Sequence, residues 1–326
     1  MLYDNHGRQL RYLRLGVTDR CNLRCFYCMP EEGLNFSHRS QILSFEEMER
    51  LTRILAEMGI NKVRITGGEP FVRKNIMELI ENISTIEGIN SVNITTNGTS
   101  LIEHLPKLKA IGIDAINLSL DCLDKERFLK ITRRDEYDQV MDSFHALMDS
   151  GITTKINMVV MEEHNIEDII PMCELTLQHK ASVRFIEEMP FNGGGKKFSP
   201  ITWNARQILA HIQGHYPNVE KLPDPESSTS LNYQLPNAKG SFGIIPAYTR
   251  TICHSCDRIR LTPKGELKTC LYDGGSFSFR DFMRAGATDE EIRNQFRTLF
   301  SNRAKDGFEA QQKSSNPFES MATIGG

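Results

Sequence analysis

Six of the eight cysteines fall into two groups of three, and their spacing is the first chemical signal in the chain. Cys21-x3-Cys25-x2-Cys28 places three thiolate donors within one short loop, and Cys253-x2-Cys256-x13-Cys270 places three more beyond residue 250. A zinc ion needs a fourth protein ligand, for which His38 is the candidate beside the first group and His254 beside the second. A [4Fe–4S] cluster held by three cysteines keeps one iron open to a small molecule, which is a reason to stop at three. Unliganded thiols are a third reading of the first group. For the second group, spacing alone leaves zinc and iron–sulfur level. Cys122 and Cys173 stand alone and read as small buried hydrophobes.

Basic residues are the second signal. Arg258 and Arg260 flank Ile259 between the later cysteines, and Arg14, Arg64 and Lys155 fall at polar positions of β-like runs. A basic pair on its own is an ordinary solvated surface. Several cations converging on one lumen repel each other unless an anion fills it, and a triphosphate would, with Arg offering bidentate forks. No GxxxxGK[ST] sequence occurs, and Gly195-Lys196-Lys197-Phe198 does not fit one, so side chains rather than a phosphate loop must hold such a ligand.

The elements that must position these residues alternate. Strands are expected at Leu13–Thr18, Lys62–Thr66, Val92–Thr96, Ala115–Leu120, Thr154–Val160 and Ser182–Ile186, with helices between them. The clearest helix starts at Ser44, which forms a capping box with Glu47 and carries Met48, Leu51, Ile54, Leu55 and Met58 at helical spacing. The others are expected over Ile76–Ile86, Leu101–Ile111, Tyr137–Ser150 and Asp168–Gln178. A parallel sheet covered on both faces reads as continuously apolar. Here each strand alternates instead, as in Leu13, Leu15 and Val17 against Arg14, Gly16 and Thr18. One greasy face and one polar face describe a curved sheet around a wet lumen, a partial (βα)6 TIM-type barrel, rather than an open doubly wound sheet. The barrel is expected over residues 1–215 and a C-terminal region over 216–326. That region opens with a stretch rich in Pro, Ser and Asn, holds helices near Arg280–Ala285 and Glu290–Phe300, and ends in a polar, mobile tail from Lys305 to Gly326. A loop opens at Gly193-Gly194-Gly195, and a further helix begins near Trp203.

Composition bounds the partners. Thirty-nine Lys+Arg against 42 Asp+Glu give a net charge of −3, which disfavours a nucleic-acid coater. No apolar run is long enough to span a membrane. Met1 to Arg11 carries Asp4, Arg8 and Arg11 without an apolar core, so no secretory leader is expected and a cytoplasmic location is.

Cys21-Asn22-Leu23-Arg24-Cys25-Phe26-Tyr27-Cys28, with an aromatic residue before the last cysteine, resembles the signature of the radical S-adenosylmethionine (SAM) superfamily. Gly67-Gly68-Glu69-Pro70 resembles its motif for the SAM amino group. Together with Arg14–Cys21, Arg64–Pro70, Thr95-Thr96-Asn97-Gly98, the second cysteine group and the closing Ile324-Gly325-Gly326, the whole chain resembles the GTP 3′,8-cyclase family of molybdenum cofactor biosynthesis. The resemblance implies two [4Fe–4S] clusters, on Cys21, Cys25 and Cys28 and on Cys253, Cys256 and Cys270. It implies SAM contacts at Tyr27, Gly68, Ser119 and Met189, and GTP contacts at Arg14, Arg64, Thr95, Lys155, Arg258, Ile259 and Arg260. Without it, Ser119 and Met189 are strand-end packing and Thr95 a strand-terminal hydrogen bonder. In that family a 5′-deoxyadenosyl radical takes the C3′ hydrogen of GTP, and the C3′ radical adds to guanine C8. Arg258, Arg260, Gly325 and Gly326 are its implied catalytic residues, the tail tip approaching the cluster loop and Arg20 or Arg24. Implied partners are cyclic pyranopterin monophosphate synthase downstream and a flavodoxin or ferredoxin as electron donor; a homodimer is compatible with it. The rival readings are another radical SAM enzyme with an auxiliary cluster, such as a peptide maturase, and a non-catalytic zinc protein.

Overall fold

The alternation read in the strands is what builds the sheet. The computed structural model describes residues 1–193, 201–275, 277–314 and 319–325. Its first six strands are β1 Tyr12–Gly16, β2 Lys62–Thr66, β3 Ser91–Thr96, β4 Ala115–Ser119, β5 Thr153–Val160 and β6 Ser182–Glu187, paired in that order and all parallel. On the outer face Leu13, Leu15, Val63, Ile65, Ile94, Ile116, Leu118, Ile156, Met158, Val183 and Phe185 are fully buried under the connecting helices. Each such side chain contributes roughly 1.5–3 kcal/mol by leaving water. The helix Phe45–Glu57 starts as its sequence predicts: Ser44 Oγ accepts from Glu47 N at 3.2 Å, and Glu47 Oε2 accepts from Ser44 N at 2.7 Å. Cys122 and Cys173 are core residues.

Beyond β6 the sheet continues. The later strands are β7 Glu220–Lys221, β8 Leu231–Gln234, β9 Ser241–Ile245, β10 Arg258–Leu261, β11 Glu266–Lys268 and β12 Phe277–Ser278. β9 adds in parallel to β6 and β10 adds in parallel to β1, giving the order β12-β11-β10-β1-β2-β3-β4-β5-β6-β9-β8-β7. The sheet that curves round the lumen is therefore wider than the six expected βα units. Its two added parallel strands are short segments that the sequence shows as a glycine-broken apolar run and a basic pair. Among the described residues no helix is long and apolar enough to cross a membrane.

The tail departs from the mobile terminus expected of it. The helix Gly307–Lys313 is capped by Asp306, and the turn of helix Met321–Ile324 is capped by Ser320. Ala310 and Ile324 are buried against Phe191 and Tyr272, and Glu319 pairs with the buried Lys268 at 2.5 Å. Polar composition hides this because so few apolar positions carry the docking. Of the loop expected at Gly193-Gly194-Gly195, the last two residues lie outside the described residues. The following helix begins at Ala205, capped by Asn204.

Glu187, fully buried at the end of β6, ties the barrel to the approach of the second cysteine group. Its carboxylate accepts from Ala205 N at 2.8 Å, Tyr248 N at 2.9 Å and Thr249 N at 2.7 Å. Glu187→Gln cannot accept at all of these positions, and denaturant unfolding should show a loss of about 1–3 kcal/mol. Unchanged stability would mean that these bonds are not the tie.

Candidate active site

The loop after β1 carries Cys21, Cys25 and Cys28, and it is fixed by the turn after β2. Gly68 N donates to Thr18 O at 2.7 Å and Glu69 N to Arg20 O at 2.8 Å. A Cβ on Gly67 would collide with the Thr18 carbonyl oxygen, and one on Gly68 with that of Arg20, so this approach requires both glycines. Glu69 is buried and accepts from Thr96 Oγ1 at 2.8 Å, Phe71 N at 3.2 Å and Asn97 N at 2.6 Å. Burial pushes its carboxyl up to about 7 in spite of those donors. Asn97 in turn directs its amide to Cys21 Sγ at 3.7 Å. Tyr27 Oη donates to Asp121 Oδ2 at 2.7 Å, and Val159 N donates to the other carboxylate oxygen at 2.8 Å. Burial raises Asp121 to about 6.

Cys21, Cys25, Cys28, Tyr27, Gly68, Ser119 and Met189 line one cavity of about 790 Å³, and Cys253, Cys256 and Cys270 line the same cavity. The second group stands on the turn before β10 and the end of the β10–β11 hairpin. Burial pushes Cys21 to about 12 and Cys28 and Cys270 to about 11. Cys256 moves the other way: burial raises it, but the guanidiniums of Arg258 and Arg303 outweigh that and the net shift is downward. Among the described residues no three His, Cys, Asp or Glu side chains close on a single metal-ion position. Zinc, with bonds of ~2.3 Å, draws its donors to one point, whereas a cluster takes them spread apart. The candidate fourth zinc ligands do not join either group: His38 caps the turn Arg39–Gln41, and His254 is exposed outside the cavity.

The lumenal cations stand in rows set by register. Arg260, Arg14 and Arg64 are lateral partners across β10, β1 and β2, and Arg258, Tyr12 and Lys62 form the next row. Lys155 on β5 and Arg184 on β6 face the same cavity. Burial, then Arg184, Arg64 and Lys62, pulls Lys155 down to about 8; burial and Arg258 pull Arg260 to about 10. Burial and the neighbouring guanidiniums hold Arg14 well below the usual arginine range. Tyr12, whose Oη accepts from Arg64 Nε, is drawn down to about 8 because Arg64, Arg14 and Lys62 outweigh its burial. Thr95 Oγ1 accepts from Arg64 Nη1 at 3.2 Å. The segment 222–230 closes over this end: Arg258 Nη2 donates to Ser227 O at 2.6 Å, and Arg184 donates to Ser230 and Asn232.

Most of the residues singled out in the sequence therefore share one cavity, with exceptions. Ile259 is a core residue, because period two on β10 turns it away from Arg258 and Arg260; only its backbone can serve a ligand. Gly326 lies outside the described residues. Gly325 O accepts from Arg260 Nη1 at 2.6 Å, so among the described residues the guanidinium that the tail meets is Arg260; the terminal carboxylate expected near Arg20 or Arg24 lies outside them. Arg24 is spent on the Cys21 and Leu23 carbonyls, and both Arg20 and Arg24 lie over the Phe36 ring. Tyr12, Lys62 and Arg184 were missed, although the first two lie two residues before Arg14 and Arg64 and so share their strand faces. Asp121 and Arg303 carried no local signal.

Residues 15–176 match the family model described as the Radical SAM superfamily, and residues 181–308 match Molybdenum Cofactor Synthesis C. The chain is 38% identical over 297 residues to the GTP 3′,8-cyclase of Peptoclostridium acidaminophilum, covering 90% of this chain and 89% of that protein. The chain belongs to the GTP 3′,8-cyclase family of radical SAM proteins. It is also 38% identical over 292 residues to molybdenum cofactor biosynthesis protein 1 of Homo sapiens, covering 89% of this chain but 46% of that protein. It thus spans about half the length of that animal relative. Of solved structures, SuiB of Streptococcus suis bound to S-adenosylmethionine superposes with a TM-score of 0.63 at 15% identity, over 88% of this chain and 68% of that one, a likeness of fold alone. Radical SAM proteins use SAM and a [4Fe–4S] cluster, and the loop of Cys21, Cys25 and Cys28 has the donors, burial and open cavity to suit them.

For a cyclase-family cavity built this way, anion binding must weaken as pH rises through about 8. Lys155 then loses its proton and Tyr12 gains charge, and both changes disfavour an anion; below that pH the binding form is fully populated. Tripolyphosphate affinity measured calorimetrically should be level to pH ~7.5 and then fall by up to roughly tenfold per unit for each of the two groups. Lys155→Met should flatten part of the fall. A pH-independent affinity would contradict the assignment.

Proposed function

We propose that this chain converts GTP to (8S)-3′,8-cyclo-7,8-dihydroguanosine 5′-triphosphate, the first step of molybdenum cofactor biosynthesis. The reading rests on one observation above the others: register-aligned cations and both cysteine groups share a single cavity. When bound, SAM and the cluster on Cys21, Cys25 and Cys28 supply the 5′-deoxyadenosyl radical that takes the C3′ hydrogen of GTP. Tyr27, Gly68, Ser119 and Met189 hold SAM, with Asp121 fixing the Tyr27 ring through its hydroxyl. Arg14, Arg64, Lys155, Arg258 and Arg260 hold the triphosphate, Thr95 orients Arg64, and the backbone at Ile259 completes the cradle. Tyr12, Lys62 and Arg184 belong to the same set.

Cys253, Cys256 and Cys270 hold a second [4Fe–4S] cluster on the guanine side. His254 stands outside the cavity that these three cysteines line, which favours a cluster with one open iron over zinc. The chain's main service is proximity: ribose and deoxyadenosyl carbon kept within van der Waals reach, away from water, until the C3′ radical adds to C8. Gly325, whose carbonyl accepts from Arg260 Nη1, and Gly326 are catalytic residues of the tail tip that organise the reacting groups rather than the triphosphate. A flavodoxin or ferredoxin as donor, cyclic pyranopterin monophosphate synthase as consumer of the product, a cytoplasmic setting and a homodimer complete the proposal. A peptide maturase is the weaker alternative, since a peptide gives no reason for the rows of lumenal cations.

Anaerobic incubation with SAM, a reductant and GTP deuterated at C3′ tests this. Mass analysis should find the cyclised product and deuterium in 5′-deoxyadenosine. Replacing Cys21, Cys25 and Cys28 by Ala should abolish SAM cleavage; replacing Cys253, Cys256 and Cys270 should abolish the cyclic product but leave some uncoupled cleavage. Deleting Gly325 and Gly326 should remove most product while GTP affinity stays nearly intact. SAM cleavage without deuterium transfer would refute the substrate assignment.

A further inference from the structure

Arg303 follows the helix Asp289–Phe300, far in sequence from either cysteine group, and is 4% exposed. All of its donors are used. Nε donates to Thr269 O at 2.9 Å, Nη1 to Cys256 O and to Asp4 Oδ2 at 3.1 Å each, and Nη2 to Cys256 Sγ at 3.3 Å and Arg258 O at 3.0 Å. One planar fork thus joins Cys256, the residue beside Cys270 and the backbone of Arg258. Asp4, with no exposed side-chain surface, also accepts from Arg8 Nε at 2.6 Å, and Arg8 Nη1 donates to Cys253 O at 2.9 Å. The N-terminal segment and two guanidiniums therefore grip all three ligand segments of the second group.

We infer that Arg303 is a positioning residue that orients Cys256 and, through its Nη2–Sγ hydrogen bond, sets the second cluster at a higher reduction potential than it would otherwise have. This rests on the two-cluster reading given above. A charged donor on a ligating sulfur withdraws electron density and favours the more negative, reduced state. Arg258 reaches the same sulfur only at 3.9 Å, and its Nη2 is turned to Ser227 O instead. Cys21 receives a neutral amide, from Asn97. The two clusters are thereby made electronically unequal by the chain.

The test uses the full chain with Cys21, Cys25 and Cys28 replaced by Ala, so that only the second cluster loads, to about four irons. A potentiometric titration read by electron paramagnetic resonance compares Arg303 with Arg303→Met and Arg303→Lys. The Met variant should be harder to reduce by at least tenfold in the one-electron equilibrium, ~59 mV, and the Lys variant, which keeps charge without the fork, by less. If the Met variant loads no iron, the Lys variant carries the test and must still show a downward shift. Loaded variants with an unmoved potential would overturn the role of Arg303 alone. A parent that binds no iron would overturn the two-cluster reading, and this inference with it.

Discussion

Parallel register puts like charges side by side, and much of the molecule can be understood as a response to that. Arg260, Arg14 and Arg64 are lateral partners on strands that lie ~4.8 Å apart. Two unit charges at ~5 Å and an effective dielectric of ~20 repel by about 3 kcal/mol. The outer face absorbs this: a continuous layer of fully buried Leu, Ile, Val and Phe holds the strands in register whether or not the lumen is filled. Within the lumen, backbone carbonyls stand where anionic oxygens would be useful. Gly325 O meets Arg260 and Ser227 O meets Arg258, so both the tail and the segment 222–230 are drawn in by the charges that a triphosphate would occupy.

The same economy governs the cysteine loops. The first loop is shaped by backbone pairing to Gly68 and Glu69, with a buried carboxylate gathering donors from the end of β3. The second is shaped by arginine forks. A carboxylate knot behind one set of thiols and guanidiniums behind the other give the two halves of one cavity opposite electrostatic settings.

Much of this could be read from residue order, because period two on a strand is a statement about faces. The alternation alone places Arg14 and Arg64 toward a lumen and Leu13 and Val63 toward helices. β9 and β10 were not legible as strands: Ser241–Ile245 contains a glycine, and Arg258–Leu261 looks like a basic surface pair until β1 is there to receive it. The docked tail was hidden for a related reason, since a handful of contacts at Ala310, Glu319 and Ile324 decide it against a polar composition. Arg303 and Asp4 lie nearly 300 residues apart and meet only in the fold. Ile259 shows the limit of carrying a motif over whole, because the middle residue of Arg-Ile-Arg faces the core.

If the lumen is a charge-matched nest for a nucleoside triphosphate, ligand binding must stabilise the fold in proportion to the phosphates it brings. Binding to the folded state alone raises stability by RT ln(1 + [L]/Kd), about 2.7 kcal/mol at a hundredfold excess over Kd. Unfolding of the anaerobic protein should be followed with guanosine, GMP, GDP and GTP at equal concentration. Stabilisation should grow with each phosphate and fall with added salt. Guanosine stabilising as strongly as GTP would contradict it.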